Sequence, residues 1–199
     1  MTPGHRSRTA TGPACLAPGR PTLLGRAGLI ERIGALLDAR QDVLLLGGPG
    51  VGKTALIRAL ARPGIEVVDP MVRIHSHRAA RIRRAMDRGV LHLAAARTLD
   101  RHAMGAVRRI ASRFTVVRVP PLSRPWMERI LRRSIAAAGL PPDAAGDGWV
   151  RAAARLADGR PGTACSMVEA GGAWYRLHDA LLSPEAALIE ALVAEHRVG

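Results

Sequence analysis

The sequence predicts an α/β protein in which a small parallel sheet is wound with helices and is followed by an α-helical lid. Apolar runs short enough for buried strands alternate with amphipathic helices as far as Pro121, and this alternation is typical of a parallel sheet. After Pro121 only helices are predicted. A glycine-rich turn, GGPGVGKT at 47–54, joins the first strand to the helix that follows it.

Each element is predicted from its apolar pattern and from the turns that flank it. The first is a helix whose apolar residues share one face, namely Leu29, Ile30, Ile33, Leu36 and Leu37. Strands are predicted at 43–46, 65–69, 90–96 and 114–119, and the helices between them at 53–61, 79–87 and 101–112. The lid helices are predicted at 125–138, 147–156, 163–170 and 184–195.

The composition divides the 199 residues into three predicted parts. Residues 1–21 are rich in Pro, Gly, Ser, Thr and Arg, contain no acid, and are expected to form a disordered basic tail. Residues 22–121 are predicted to form the core that contains the sheet. Residues 122–199 are predicted to form the α-helical lid and a C-terminal helix.

The stretch 47–54 fits the pattern G-x-x-x-x-G-K-[ST] and lies where a strand meets the N-terminus of a helix. Backbone N–H groups of glycine can surround phosphates there, and the helix dipole favours an anion at the same place. We therefore predict a P-loop NTPase sheet. Its phosphate-binding residues are Gly47, Gly48, Pro49, Gly50, Val51, Gly52, Lys53, Thr54 and Ala55. The alternative is a glycine turn that binds nothing.

Lys53 is the only lysine in a chain that otherwise uses arginine. Lysine is a compact charge on a flexible stem, whereas the guanidinium of arginine is a wide planar fork that would not fit inside a tight loop. The retained lysine indicates a contact with the β- and γ-phosphates of a nucleotide, and the hydroxyl of Thr54 would then bind Mg²⁺.

The formal charge of +14 predicts an acidic partner, of which nucleic acid is the usual one. Between Met71 and Arg118 the only acids are Asp87 and Asp100. The arginines of this span are Arg73, Arg78, Arg81, Arg83, Arg84, Arg88, Arg97, Arg101, Arg108, Arg109, Arg113 and Arg118. Because aromatic side chains are few, binding would depend on phosphates and on salt. The alternative is a solvated surface on a protein biased towards arginine.

No apolar run reaches the roughly 18 residues that a membrane helix needs, so no membrane segment is predicted. The two cysteines, Cys15 and Cys165, are too few for a disulfide framework. We therefore expect the protein in the cytoplasm.

Taken in order, these features of residues 22–170 resemble the AAA+ ATPases, especially the origin-recognition, clamp-loader and Holliday-junction-helicase branches. GGPGVGKT is similar to the phosphate loop of that family, in which a proline such as Pro49 is frequent. The resemblance implies that ATP and Mg²⁺ are the ligands and that the chain forms a homo-oligomer. It also implies that Gly25 and Arg26 belong to the segment that lies over the adenine.

The resemblance assigns the Mg²⁺-binding aspartate after the second strand to Asp69. The family places a glutamate next, which orients the attacking water, whereas this chain has Pro70. Asp69 also follows Lys53 closely, as if one strand and one helix of the family core were absent. Since an Asp-Pro pair is a common start of a turn, Asp69 is alternatively a strand-end acid that caps a turn. Binding of ATP is therefore predicted, whereas the question of whether ATP is hydrolysed is left open.

Further roles are implied by the resemblance alone. Arg97 or Thr98 ends the strand that corresponds to sensor 1 of the family, which reports on the γ-phosphate. Arg113 lies in an element similar to the family's SRF motif, which makes it the candidate arginine finger for a neighbouring subunit; a surface arginine is the alternative. The turn at 158–162 resembles the sensor 2 turn. The family's arginine falls at Gly162, which leaves Arg160 as a displaced substitute.

Three functions are open at this point. The leading hypothesis is an ATP-binding AAA+-like ATPase that self-associates and acts on DNA as a regulator or loader in replication, recombination or transposition. The second is a nucleotide-dependent switch or scaffold without turnover that binds a protein partner, and Pro70 is the reason for it. The third is a small-molecule phosphotransferase, but the chain shows no Asp-x-Asp substrate clamp.

Overall fold

Four parallel strands form the sheet in the computed structural model, which describes residues 23–71, 74–97, 110–140, 145–177, 186, 188–190 and 193. The strands are β1 (Val43–Leu46), β2 (Ile65–Val68), β3 (Leu91–Ala96) and β4 (Thr115–Arg118). They lie side by side in the order β2-β3-β1-β4. The two central strands are almost wholly apolar, as expected where both faces of a sheet are covered. The predicted α/β class with a small parallel sheet is confirmed.

The parallel register brings the carboxyl ends of the strands to one edge of the sheet. The last residue of β1, Leu46, pairs with Ala96 of β3 and with Arg118 of β4. Ligands of parallel α/β sheets bind at this kind of edge. The residues that follow β1, β2 and β3 at this edge are Gly47, Asp69 and Arg97.

Helices cover both faces of the sheet. One face packs against α1 (Ala27–Asp38) and α2 (Lys53–Leu60), and the other packs against α3 (Ser76–Asp87). Alternate residues of β1 enter opposite cores, because successive side chains of a strand point to opposite faces. Leu45 lies in the core with α1 and α2, whereas Leu44 lies in the core with α3.

Three lid helices after Pro121 are described along their length, and the described residues 186, 188–190 and 193, within the helix predicted at 184–195, are also helical. The three helices are α4 (Arg124–Ala137), α5 (Asp147–Leu156) and α6 (Pro161–Leu177). Their apolar faces meet in a core that is separate from the two cores of the sheet and that contains Met127, Leu131, Ile135, Trp149, Val150, Ala153 and Met167. None of the helices in the described ranges is long and apolar enough to cross a membrane.

Two helices differ from their predicted bounds by more than one residue. The helix predicted at 79–87 begins at Ser76. The prediction missed the residues before 79 because they are exposed and lack the apolar signal that marks a buried face. The helix predicted at 163–170 runs from Pro161 to Leu177. Gly171 does not end it, because the missing side chain allows close packing: a Cβ there would lie 2.7 Å from Cδ2 of Leu188.

The chain connects the phosphate-loop helix directly to the next strand, as its short spacing suggests. α2 ends at Leu60 and β2 begins at Ile65, so no strand or helix lies between them. Other predicted features fall outside the described residues, namely the tail at 1–21, Thr98, and the helix predicted at 101–112 except for its end, where Ile110 and Ala111 are helical.

Candidate functional site

The glycine-rich loop between β1 and α2 depends on backbone conformations that glycine tolerates. Gly50 and Gly52 have φ values of 73° and 96°, in the left-handed region that other residues adopt only at a cost. Gly47 passes close to the strand beside it, and a Cβ there would lie 2.6 Å from the carbonyl oxygen of Val119. The loop can therefore curve tightly above the edge of the sheet.

The side chain of Lys53 folds back into this loop. Its Nζ donates hydrogen bonds to the carbonyl oxygens of Gly47 (2.8 Å) and Gly48 (2.7 Å). Burial lowers the pKa of Lys53; the carboxylate of Asp69 opposes this shift, and the charge of Arg97 adds to it. The ammonium is thus held at the loop in a position from which it can meet an anion.

Thr54 and Asp69 come together although they belong to different elements. The hydroxyl of Thr54, in the first turn of α2, donates to Oδ2 of Asp69 at 2.7 Å. Mg²⁺ prefers oxygen ligands, and in phosphate-transfer sites it takes one or two from the protein and others from the substrate. This hydroxyl–carboxylate pair fits such a site. No larger group of acidic, histidine or cysteine ligands exists within the described residues.

A cavity of about 730 Å³ lies between the loop, the sheet edge and the lid. Its size is in the range of small-molecule sites. The loop and α2 contribute the stretch from Pro49 to Ala55 and Arg58, and the sheet edge contributes Asp69, Pro70, Ala95, Ala96 and Arg97. The other lining residues come from the N-terminal segment and the lid, and they are Leu23, Leu24, Arg26, Leu122, Ile130, Arg133, Ser134, Pro161, Gly162 and Cys165.

The charge of this cavity is strongly positive. Its cationic lining residues are Arg26, Lys53, Arg58, Arg97 and Arg133. Among the described lining residues, Asp69 is the sole carboxylate, because Pro70 takes the position at which the resemblance places a glutamate. The cavity is therefore suited to a polyanion, and its described lining offers no second carboxylate to orient a water molecule.

Arg26 lines the cavity, but its guanidinium is committed to the protein backbone. It is buried, and Nη2 donates to the carbonyl oxygens of Val51 (3.0 Å) and Pro120 (2.7 Å). Burial lowers the pKa of Arg26. Arg26 thus ties the phosphate loop to the segment that follows β4.

Gly25 lies beside the cavity and is not one of its lining residues. Its φ is 71°, and a Cβ there would lie 2.8 Å from Cγ of Trp126 on α4. This close approach packs the N-terminal segment against the lid. Gly47 and Gly48 also lie outside the lining, although their carbonyls hold Lys53.

The remaining arginines predicted as site residues are separated by the structure. Arg97 lies in the cavity wall near Lys53. Arg160 lies outside the lining, and its guanidinium pairs with Asp158 at 3.3 Å. Arg113 is exposed outside the cavity and pairs with Asp87 at the end of α3.

Two cationic residues of the cavity were missed by the sequence analysis. Arg58 faces the cavity from α2, and Arg133 faces it from α4 of the lid. The helical spacing of apolar residues predicts the buried face of α4, but the arginines at 132 and 133 both lie outside that face, one on each side of it. The pattern therefore does not tell which of them faces the cavity. Only the structure separates them, since Arg132 turns away to bind Asp147 at 2.6 Å.

Three solved structures with the same fold are distant from this chain in sequence. The Holliday junction branch migration motor RuvB of Thermotoga maritima superposes with a TM-score of 0.59 at 16% identity, covering 86% of this chain and 70% of RuvB. The Aeropyrum pernix Orc1 protein, solved in complex with DNA, gives a TM-score of 0.65 at 16% identity, covering 92% and 69%. The FIGL-1 AAA domain, solved with ADP, gives 0.59 at 15% identity, covering 92% and 85%.

These similarities show that the chain has the AAA+ P-loop ATPase fold, as the resemblance of its motifs implied. No family model matches the sequence, and no curated protein matches it.

Proposed function

We propose that this chain is an ATP-binding AAA+-like ATPase that self-associates and acts on DNA as a regulator or loader. One observation carries the nucleotide part of this proposal. The loop lysine Lys53, the pair of Thr54 and Asp69, and the lid all border a single cationic cavity.

Different residues of the cavity would bind the phosphates of ATP and the Mg²⁺ ion. Lys53 and the N–H groups at the start of α2 would bind the phosphates, since a phosphate offers the ammonium stronger acceptors than the carbonyls of Gly47 and Gly48. Thr54 and Asp69 would hold Mg²⁺. When bound, Mg²⁺ neutralises part of the phosphate charge and fixes the orientation of the phosphates.

The apolar part of the cavity supports a binding site for the adenine. Leu23 and Leu24 precede Gly25, and Ile130 faces them from the lid. Arg26 would act on the nucleotide through the loop whose carbonyl it binds. Because the ligand would contact both the sheet edge and the lid, binding would favour a closed arrangement of the two.

Assembly into a homo-oligomer would complete the site. Arg97, or Thr98 beside it, would sense the γ-phosphate within the subunit. Arg113 would serve a neighbouring subunit as an arginine finger, and it would first have to leave Asp87. Arg160 has a direct partner in Asp158, so a contact between Arg160 and nucleotide would need the same kind of exchange.

A second candidate is an ATP-dependent switch or scaffold that binds a protein partner and does not hydrolyse ATP. It is favoured by one observation, that Asp69 is the sole carboxylate among the described residues that line the cavity. Without a carboxylate to orient water, turnover would be slow even when the phosphates are held well.

The proposed action on DNA is supported by the charge of +14 and by the arginine-dense span around α3. Two structural neighbours also support an action on DNA, since RuvB is a Holliday junction branch migration motor and Orc1 was solved in complex with DNA. We place the protein in the cytoplasm, because its two cysteines give no reason to expect an oxidising compartment.

The decisive experiment measures ATP affinity and steady-state phosphate release for the native chain, Lys53→Ala and Arg113→Ala, with and without duplex DNA. Lys53→Ala should weaken ATP binding by about tenfold or more, because it removes a charged hydrogen bond in a partly buried site. Arg155→Ala is the matched control, since Arg155 is exposed on α5 outside the cavity.

Each outcome separates the candidates. Phosphate release that rises with protein concentration and DNA, and falls in both variants, supports an assembling ATPase. Binding that needs Lys53 without turnover or a DNA effect supports the switch. Equal ATP binding by the native chain and Lys53→Ala contradicts both.

A further inference from the structure

Helix α3 has two chemically distinct faces. Its apolar residues face the sheet and are buried, and they are Ala79, Ile82, Ala85 and Met86. On the opposite side lie exposed basic residues at helical spacing, which we call the arginine stripe and define as His77, Arg81, Arg84 and Arg88. At a rise of 1.5 Å per residue the stripe is about 16 Å long.

The charge of this stripe is not compensated within the described part of the chain. No ion pair there involves Arg81, Arg84 or Arg88. The one acid of α3, Asp87, is already bound to Arg113. Like charges three or four residues apart on a helix repel each other, so the isolated helix gains nothing from this arrangement. An acidic partner would remove the repulsion.

The helix that carries the stripe is packed on the sheet. Between Asp69 and α3 the chain is anchored by Met71 and Ile74, each 1% exposed. The N–H of Met71 also donates to the carbonyl oxygen of Ala95 on β3 at 2.7 Å. Because α3 is fixed to the sheet beside the cavity edge, its arginines keep a constant spacing that a regular ligand can match.

We propose that the arginine stripe of α3 binds the phosphate backbone of duplex DNA. Its length corresponds to about five base pairs at 3.4 Å per phosphate along one strand. Phe, Tyr and Trp, whose large rings a single-strand platform would need, do not occur in α3. The proposal deepens the suggested action on DNA and rests on that part of the proposed function.

The test uses the full chain and a short fluorescently labelled duplex, with anisotropy measured between about 50 and 200 mM salt. The triple substitution Arg81→Gln, Arg84→Gln, Arg88→Gln removes the charges while keeping good helix formers. A plot of log K against log salt concentration has a slope whose magnitude falls by about 0.9 for each lost phosphate contact. The magnitude of this slope should therefore be smaller by about 3 in the triple variant than in the native chain. The corresponding Lys variant should keep the slope of the native chain.

A matched control removes the same charge elsewhere, by Arg32→Gln, Arg151→Gln and Arg155→Gln on exposed helix positions of α1 and α5. It should bind DNA with the native slope. An equal loss in this control, an unchanged slope in the stripe variant, or equal competition by polyglutamate at matched charge would overturn the proposal. So would absence of DNA binding by the native chain.

ATP binding is measured on the same samples, so that the two proposals fail separately. Retained ATP binding together with lost DNA binding in the stripe variant supports the stripe. If the native chain does not bind ATP, the proposed function is contradicted, whereas the salt dependence of DNA binding still decides whether the stripe binds DNA.

Discussion

The backbone N–H of Gly162, in the first turn of lid helix α6, donates to the carbonyl oxygen of Gly50 in the phosphate loop at 2.8 Å. A Cβ on Gly162 would lie only 3.0 Å from Cα of Gly50. Lid and loop therefore meet backbone to backbone, at the position where the resemblance would place an arginine.

We predict that Gly162→Ala loosens this contact and lowers stability. Overpacking of a tight contact typically costs about 1–3 kcal/mol, and here it would push the lid away from the loop. ATP affinity should fall as well. The measurements are denaturant unfolding and ATP titration.

The matched control is Gly34→Ala, at an interior position of α1 where a Cβ meets nothing within 4 Å. Alanine is the better helix former by about 1 kcal/mol, so this variant should be more stable than the native chain. If Gly162→Ala were stabilised to the same extent, the close contact would have no energetic importance.

Arg26 gives a second prediction, because it joins the phosphate loop to the segment after β4. Arg26→Ala removes the hydrogen bonds to Val51 and Pro120 and should lower the free energy of unfolding by about 1–3 kcal/mol. Arg32→Ala, at an exposed position of helix α1, which begins directly after Arg26, should change it by no more than about 0.5 kcal/mol. Equal stabilities of the two variants would show that the hydrogen bonds of Arg26 to Val51 and Pro120 do not stabilise the fold.

The parts of the site that could be predicted from the sequence are those set by local pattern and by strand register. The motif around Lys53 is contiguous, and the end of an apolar strand marks Asp69. Because parallel strands end at one edge, Asp69 had to lie near the loop, and the structure brings it within 2.7 Å of the Thr54 hydroxyl.

Contacts between distant parts of the chain could not be predicted in the same way. The partners of Arg26 are 25 and 94 residues away, and no pattern in the sequence links them. Arg133 faces the cavity only because of how α4 is rotated on the other lid helices. The pairing of Arg113 with Asp87 likewise depends on two helix ends meeting in space.

Arg133 leads to a prediction about the lid. If this arginine contacts the phosphates across the cavity, Arg133→Ala should weaken ATP binding by about tenfold or more, the value of a hydrogen bond to a charged group. Affinity for adenosine should not change, because the nucleoside carries no phosphate. Isothermal titration with both ligands measures the difference.

Arg129→Ala is the control for Arg133→Ala, since Arg129 lies on the same helix, 4.9 Å from the ring centroid of Trp126, and outside the cavity lining. It should bind ATP as the native chain does. Equal losses for ATP and adenosine in Arg133→Ala would mean that the arginine supports the lid structure and does not contact phosphate.

Lys53 allows a direct test of the site, because selective isotope labelling of lysine gives a single side-chain resonance in this chain. Burial lowers the pKa of Lys53, so an NMR titration without nucleotide should give a value below the ordinary lysine value of about 10.4. Between the lowered pKa of Lys53 in the folded chain and its ordinary pKa in the unfolded chain, the unfolded chain binds more protons. The contribution of Lys53 to the free energy of unfolding therefore rises as pH rises through that window.

Nucleotide should reverse the shift of Lys53, because phosphate charges favour the ammonium form. The pKa of Lys53 should therefore rise when ATP and Mg²⁺ are added, and by linkage ATP affinity should fall as pH rises through the pKa of the free chain. Lys53→Ala identifies the resonance by removing it. A pKa that does not respond to ATP would show that the ammonium does not contact the phosphates, even if ATP binds elsewhere in the cavity.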